Sequence, residues 1–352
     1  MLNKILNKLF GVFDFFKDFL FTWGIKILIV LFACMILHNV LKMSEITSRY
    51  AGDYKKLVPV YEEENKFMNV YVTGQGDKTV VILAGFGSQS PVIQYKTLTE
   101  GLKDSYRVVI VEYFGYGYSM SIKKPRTNDN IADEIKKTLE LAGVSGPYIL
   151  MPHSLSNVYA MKFQSKYPEL VQGIVSIDGT YPAEIKDEYR QEQVKSTVSN
   201  VNITSIFELT GFERLVSYIK GDVFYIDKMK ALNNVYTKED ISIYRNRIGS
   251  SYLTGTMVKE IKNAEENMKE MQDYKYPEYL SVLEILSTDT VKEYYEAKNS
   301  GESKVNLTEL AENMITNPVI QTVKQVEGDH MLQLSNPEEL LKEIKAFLAT
   351  CI

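Results

Sequence analysis

Between residues 61 and 177 the chain alternates short β-branched apolar runs with stretches of helical periodicity. A strand buried on both faces is apolar without alternation, and parallel neighbours need a crossover of a dozen or more residues. The rhythm therefore predicts βαβ units around a mostly parallel sheet. The strands read as Thr79–Leu83 (TVVIL), 108–111 (VVIV), 148–151 (YILM) and 174–177 (IVSI), each bounded by Gly, Pro or charged residues. Ile131, Ile135 and Leu139 give one intervening helix its apolar face, with Asp129 and Asn130 able to cap its start. From about residue 180 to 275 Lys, Glu and Tyr dominate and only helical patches such as FERLVSYIK remain, which predicts a helical insertion. Strand character returns at 281–286 and 319–326. The chain closes on a helix from Pro337, capped by Asn336, with Leu340, Leu341, Ile344, Phe347 and Leu348 on one face.

A second constraint lies at the N-terminus. Residues 19–41 read FLFTWGIKILIVLFACMILHNVL, with Lys26 the one fixed charge. A helix of about 20 apolar residues crosses the roughly 30 Å hydrocarbon core, so 19–43 is expected to be a single-pass transmembrane anchor. Ahead of it, in residues 1–18, Leu2, Ile5, Leu6, Leu9, Val12, Phe13 and Phe16 recur at near-helical spacing with Lys4, Lys8 and Lys17 between them, as in an interfacial amphipathic helix. No small-x-small cleavage site follows the apolar run, and the loose lipobox ending at Cys34 is followed by more apolar residues, so neither kind of cleaved signal fits. Residues 44–60 then read as a linker and 61–352 as the globular domain. Basic residues flank the span on both sides, and placing the domain outside the cytoplasm is an expectation that their count does not decide.

Composition narrows the function classes. At 352 residues and 45% hydrophobic the chain can fill one large core with an insertion. A net charge of −5 without a basic stretch offers no footprint for nucleic acid. Cys34 and Cys351 cannot build a disulfide framework or a cysteine zinc site, and the three histidines are scattered, so neither metal nor cofactor is expected.

The segment from Tyr148 through Pro152, His153, Ser154, Leu155, Ser156 and Asn157 runs an apolar strand into a serine on a tight turn and then into a helix. Such a turn lifts the serine Oγ clear of the sheet, and the helix N-terminus behind it offers backbone N–H groups to a developing oxyanion. Here the chain resembles the α/β-hydrolase superfamily, whose elbow is G-x-S-x-G; Pro152 and Ser156 stand at the two glycine positions. The motifs that follow in superfamily order are Ala84-Gly85-Phe86-Gly87 after the TVVIL strand and Glu112-Tyr113-Phe114-Gly115-Tyr116-Gly117-Tyr118-Ser119 after the next. The resemblance implies that Phe86 and Leu155 donate their N–H groups to an oxyanion hole, and the Gly-rich 112–119 stretch reads as a structural turn.

The base follows by elimination. His38 lies in the span, His153 precedes the nucleophile and should point away from its Oγ, and His330 sits on a loop between the last strand and the last helix. For the third member the resemblance leaves two aspartates: Asp289 at the end of the 281–286 strand, slightly favoured, and Asp178 at the end of the preceding one. It further implies a helical lid in the insertion and acyl transfer through Ser154. The expected substrate is a small-molecule or lipid-like carboxylic ester. Aminopeptidase or acyltransferase chemistry on the same triad, or a membrane-tethered binding protein that has lost turnover, are the alternatives. Ser154 at the nucleophile position disfavours Asp-nucleophile dehalogenases and epoxide hydrolases.

Overall fold

The computed structural model describes residues 17, 19, 21–38, 41, 54–207, 212–251 and 253–351. The amphipathic segment read at 1–18 falls outside them except for Lys17, as does the linker before Tyr54.

Eight strands form one sheet: β1 (Leu57–Tyr61), β2 (Lys66–Thr73), β3 (Thr79–Leu83), β4 (Arg107–Glu112), β5 (Tyr148–Pro152), β6 (Val171–Ile177), β7 (Ser281–Ser287) and β8 (Gln321–Val326). Their spatial order is β1-β2-β4-β3-β5-β6-β7-β8. β2 runs antiparallel to both β1 and β4, and every other neighbouring pair is parallel. The linker reading of 44–60 is corrected at its end, because β1 begins at Leu57. Two causes hide β1 and β2 from the apolar pattern. β1 is an edge strand that tolerates Pro59, and in β2 only Met68, Asn69 and Val70 are buried, so neither forms a continuous apolar run.

The inner strands β3, β4 and β5 are buried nearly throughout because helices cover both faces. Alternate side chains of a strand point to opposite faces. Val81, Leu83, Val109, Val111 and Leu150 therefore pack with the buried side chains of α3 (Asn128–Leu141) and α4 (Ser156–Lys166). Val80, Ile82, Val108, Ile110, Ile149 and Met151 face α2 (Lys96–Leu102) and α12 (Pro337–Thr350). Ile131, Ile135 and Leu139 are buried on α3 as its period requires, though Thr127 rather than Asp129 or Asn130 is the cap, its side chain accepting from the Asn130 N–H.

Between β6 and β7 the described residues of the insertion form helices joined by turns, with no strand among them: α5 (Glu188–Phe207), α6 (Phe212–Ile219), α7 (Ile226–Ala231), α8 (Lys238–Ser251) and α9 (Gly255–Met271). α9 seats it on the core. The Glu260 carboxylate accepts hydrogen bonds from Tyr116 and Tyr159 at 2.9 and 3.0 Å, and burial pushes this carboxyl up to about 7. Beside it Arg126 and Glu134, both fully buried, pair at 2.8 Å. Two further helices, α10 (Thr288–Ser300) and α11 (Leu307–Met314), lie between β7 and β8.

The N-terminal helix α1 (Phe21–His38) is long and apolar enough to cross a membrane, and none of it is buried in the protein. Phe21 is 71% and Leu28 65% exposed.

Candidate active site

Of the residues singled out from the sequence, Phe86, Ser154, Leu155, Asp178 and His330 come together at the carboxyl ends of β3, β5, β6 and β8, where open α/β sheets build their sites. Ser154 follows β5 with φ +55°, a left-handed conformation that a serine adopts only when its surroundings enforce it. They do so with two backbone bonds: the Ser154 N–H donates to the Ile177 carbonyl at 3.2 Å, and its own carbonyl accepts from the Thr180 N–H at 3.0 Å. α4 starts two residues on, at Ser156.

Both departures at the elbow have a physical account. The His153 N–H donates to the Leu83 carbonyl at 3.0 Å, so strand alternation turns position 152 toward β6, in the interruption between the last regular β5–β6 pair at Leu150 and the bridge that His153 makes with Ile177. Proline, which has no N–H to give, fits that gap in the ladder. Ser156 is small enough for the turn and ties it down. Its hydroxyl donates to the Ala84 carbonyl and accepts from Tyr113 at 3.0 Å.

His330 lies on the loop after β8, with Nδ1 2.7 Å from Asp178 Oδ2. Asp178 ends β6 at φ +44°, and its side chain is fully buried. Its carboxylate also accepts from the Ser287 N–H at 2.7 Å, Ser287 Oγ at 3.0 Å and Thr290 Oγ1 at 2.6 Å. Burial alone would raise this carboxyl, but the hydrogen bonds from His330, Thr290 and Ser287 outweigh it and hold it below the usual value.

The favoured acid, Asp289, is the one that needs correcting. It is exposed in the first turn of α10 and does not reach His330. The cause is local: β7 runs straight into α10, and Ser287 caps the helix by accepting from the Thr290 N–H. That turn directs Ser287 and Thr290 at Asp178 and leaves Asp289 facing solvent, with its N–H on the Gly328 carbonyl at 3.1 Å. A Ser-x-x-Thr spacing after a strand is the signal that marks these two supporting hydroxyls.

Phe86 follows β3 and Leu155 opens α4. Ser154, Phe86 and His330 line two cavities that meet at the serine. One, of about 260 Å³, is polar, with Gln89, Gln94 and Tyr244 in its wall. The other, of about 450 Å³, is lined by Leu155, Val194, Ile261, Ala264 and Met268, and also by Glu184, Arg190 and Glu293. The 112–119 turn lies apart from both and is structural. Buried Glu112 accepts from the Tyr118 N–H at 2.6 Å and from Asn69 at 3.0 Å, and any Cβ on Gly117 would overlap it.

A family model described as alpha/beta hydrolase fold matches residues 78–200. An uncharacterized protein of Bacillus subtilis (strain 168), YbdG, is 25% identical over 294 residues, 82% of this chain and 85% of its own. Among solved structures, an epoxide hydrolase from Bacillus megaterium superposes with a TM-score of 0.59 at 17% identity, covering 84% of this chain and 100% of that one. A thermophilic esterase from Thermogutta terrifontis superposes at 0.55 and 16%, covering 84% and 98%.

Proposed function

This chain has the α/β-hydrolase fold, and from that premise we propose that it is a membrane-anchored serine hydrolase that cleaves carboxylic esters through an acyl-enzyme on Ser154. The observation that carries the reading is the 2.7 Å contact of His330 Nδ1 with buried Asp178, on a loop whose histidine shares a cavity with a positive-φ serine. The aspartate fixes the imidazole with its proton on Nδ1, which leaves Nε2 free to take the Ser154 proton.

In the first step Oγ bonds to the substrate carbonyl carbon and the Phe86 and Leu155 N–H groups stabilise the oxyanion. The C–O bond then breaks, and the alcohol leaves with the proton from His330. In the second, His330 deprotonates water, which attacks the acyl carbon, and Ser154 departs reprotonated. Both epoxide hydrolases and esterases share this architecture. The serine at the nucleophile position favours the esterase chemistry, since an alkoxide attacking a carbonyl gives an acyl ester that water can resolve. The apolar wall of the larger cavity suits the acyl chain, the helical insertion acts as the lid over it, and α1 anchors the chain beside a source of lipid-like esters.

Hydrolysis of a p-nitrophenyl ester series by the full chain in detergent tests this reading. We expect kcat/KM to rise about fourfold per added methylene, from ~0.8 kcal/mol per buried CH₂, until the cavity is filled. Absence of turnover at every chain length would sink it.

A further inference from the structure

We propose that His153 is a positioning residue that ties the loop carrying His330 to the turn carrying Phe86, so that base and oxyanion donor keep register around Ser154. The inference rests on the serine-hydrolase reading for its catalytic consequence.

His153 is buried immediately before the serine, and both of its ring nitrogens are engaged. Nδ1 lies 2.9 Å from the Tyr95 hydroxyl, and Nε2 lies 2.8 Å from the backbone carbonyl of His330. The Tyr95 oxygen in turn accepts the Gly85 N–H at 3.0 Å. A carbonyl can only accept, so Nε2 must carry the imidazole proton; Nδ1 is then the acceptor, and the Tyr95 hydroxyl must be its donor. One directed chain results: Gly85 N–H to Tyr95, Tyr95 O–H to His153, His153 Nε2–H to His330.

Its two ends are the Ala84–Gly85 peptide, one peptide before the Phe86 N–H, and the main chain of the base itself. His330 is thereby held twice, its ring by Asp178 and its backbone by His153, and the two imidazole centroids lie 4.6 Å apart. The chain needs a neutral His153, and burial together with the neighbouring His330 pushes that ring down to about 3. The packing leaves no slack, because a Cβ on Gly85 would sit 2.5 Å from His153 Nδ1. An ordinary core histidine would spend its bonds on the nearest backbone; these bonds reach residues 58 and 177 positions away, Tyr95 at the N-terminus of α2 and His330 on the loop after β8.

Tyr95→Phe removes only the hydroxyl in the middle of the chain and keeps the ring in its packing, while His153→Phe removes both ring bonds. Displacements of an ångström at a reacting centre cost about 100-fold. We expect each variant to lower kcat for the best ester by about 10- to 100-fold with KM within about twofold. The double variant should be no slower than the slower single one, because both changes break one chain. Histidine side-chain NMR of the wild type should show His153 as the neutral Nε2–H form down to pH 5, with Tyr95→Phe moving its Nδ1 resonance. Wild-type kcat in a folded Tyr95→Phe, additive losses in the double variant, or an Nδ1–H or charged His153 at pH 6 would each overturn the proposal. If the wild type hydrolyses no ester, the serine-hydrolase reading fails on its own, and the imidazole resonances still decide whether the chain of bonds exists.

Discussion

Asp178→Asn is expected to lower ester turnover by about 10⁴-fold, whereas Asp289→Asn leaves it within about twofold. With its NH₂ at the Oδ2 position, the amide at 178 still accepts from the Ser287 N–H through its oxygen, and the Thr290 hydroxyl can turn to accept from the NH₂, so the fold survives. What changes is the partner of His330 Nδ1, which lies 2.7 Å from the acid oxygen. An Asn NH₂ aimed there would place the imidazole proton on Nε2, the nitrogen that must be empty to receive a proton from Ser154. The carboxylate that would have balanced the imidazolium is gone as well. Asp289 is exposed on the first turn of α10, and its loss removes only a surface charge. Comparing kcat/KM for the two variants, with thermal melting to confirm both are folded, separates the acids; a large loss at Asp289 with a mild one at Asp178 would reassign the site.

The second large effect concerns the nucleophile and its base. Ser154→Ala and His330→Ala should each reduce kcat by about 10⁴- to 10⁶-fold, and the double variant should be no worse than the more damaged single one, because the pair acts as a unit. Loss at Ser154 with survival at His330 would point to some other base. Equal and additive losses of about tenfold would describe two binding residues rather than a nucleophile and its activator.

Most of the sheet was legible because the signal is local. Strands buried on both faces carry unbroken apolar runs, and β3 coincides with TVVIL residue for residue. β1 and β2 escaped because the antiparallel margin of the sheet is half-exposed, and half-exposed strands lose that run. The local settings of Ser154 and His330 were legible for a related reason, since a strand-to-helix turn and a loop before a terminal helix are each contained within a few residues. The acid was not. Which of Asp178 and Asp289 faces His330 depends on how β7 enters α10, a capping choice made by Ser287 and Thr290 that becomes decisive only once β6 and β7 are side by side. The contacts of His153 were beyond reach altogether. Position alone says that its ring points away from the nucleophile; it does not say that Tyr95 and the His330 carbonyl wait on the far side.

The most direct test of the central claim is covalent. The full chain is treated with a fluorophosphonate at neutral pH and its mass and peptide map are recorded. The account predicts one stoichiometric adduct, on the peptide containing Ser154, absent from Ser154→Ala and formed far more slowly in His330→Ala. An unlabelled chain, or an adduct on another residue with Ser154 unmodified, would contradict it.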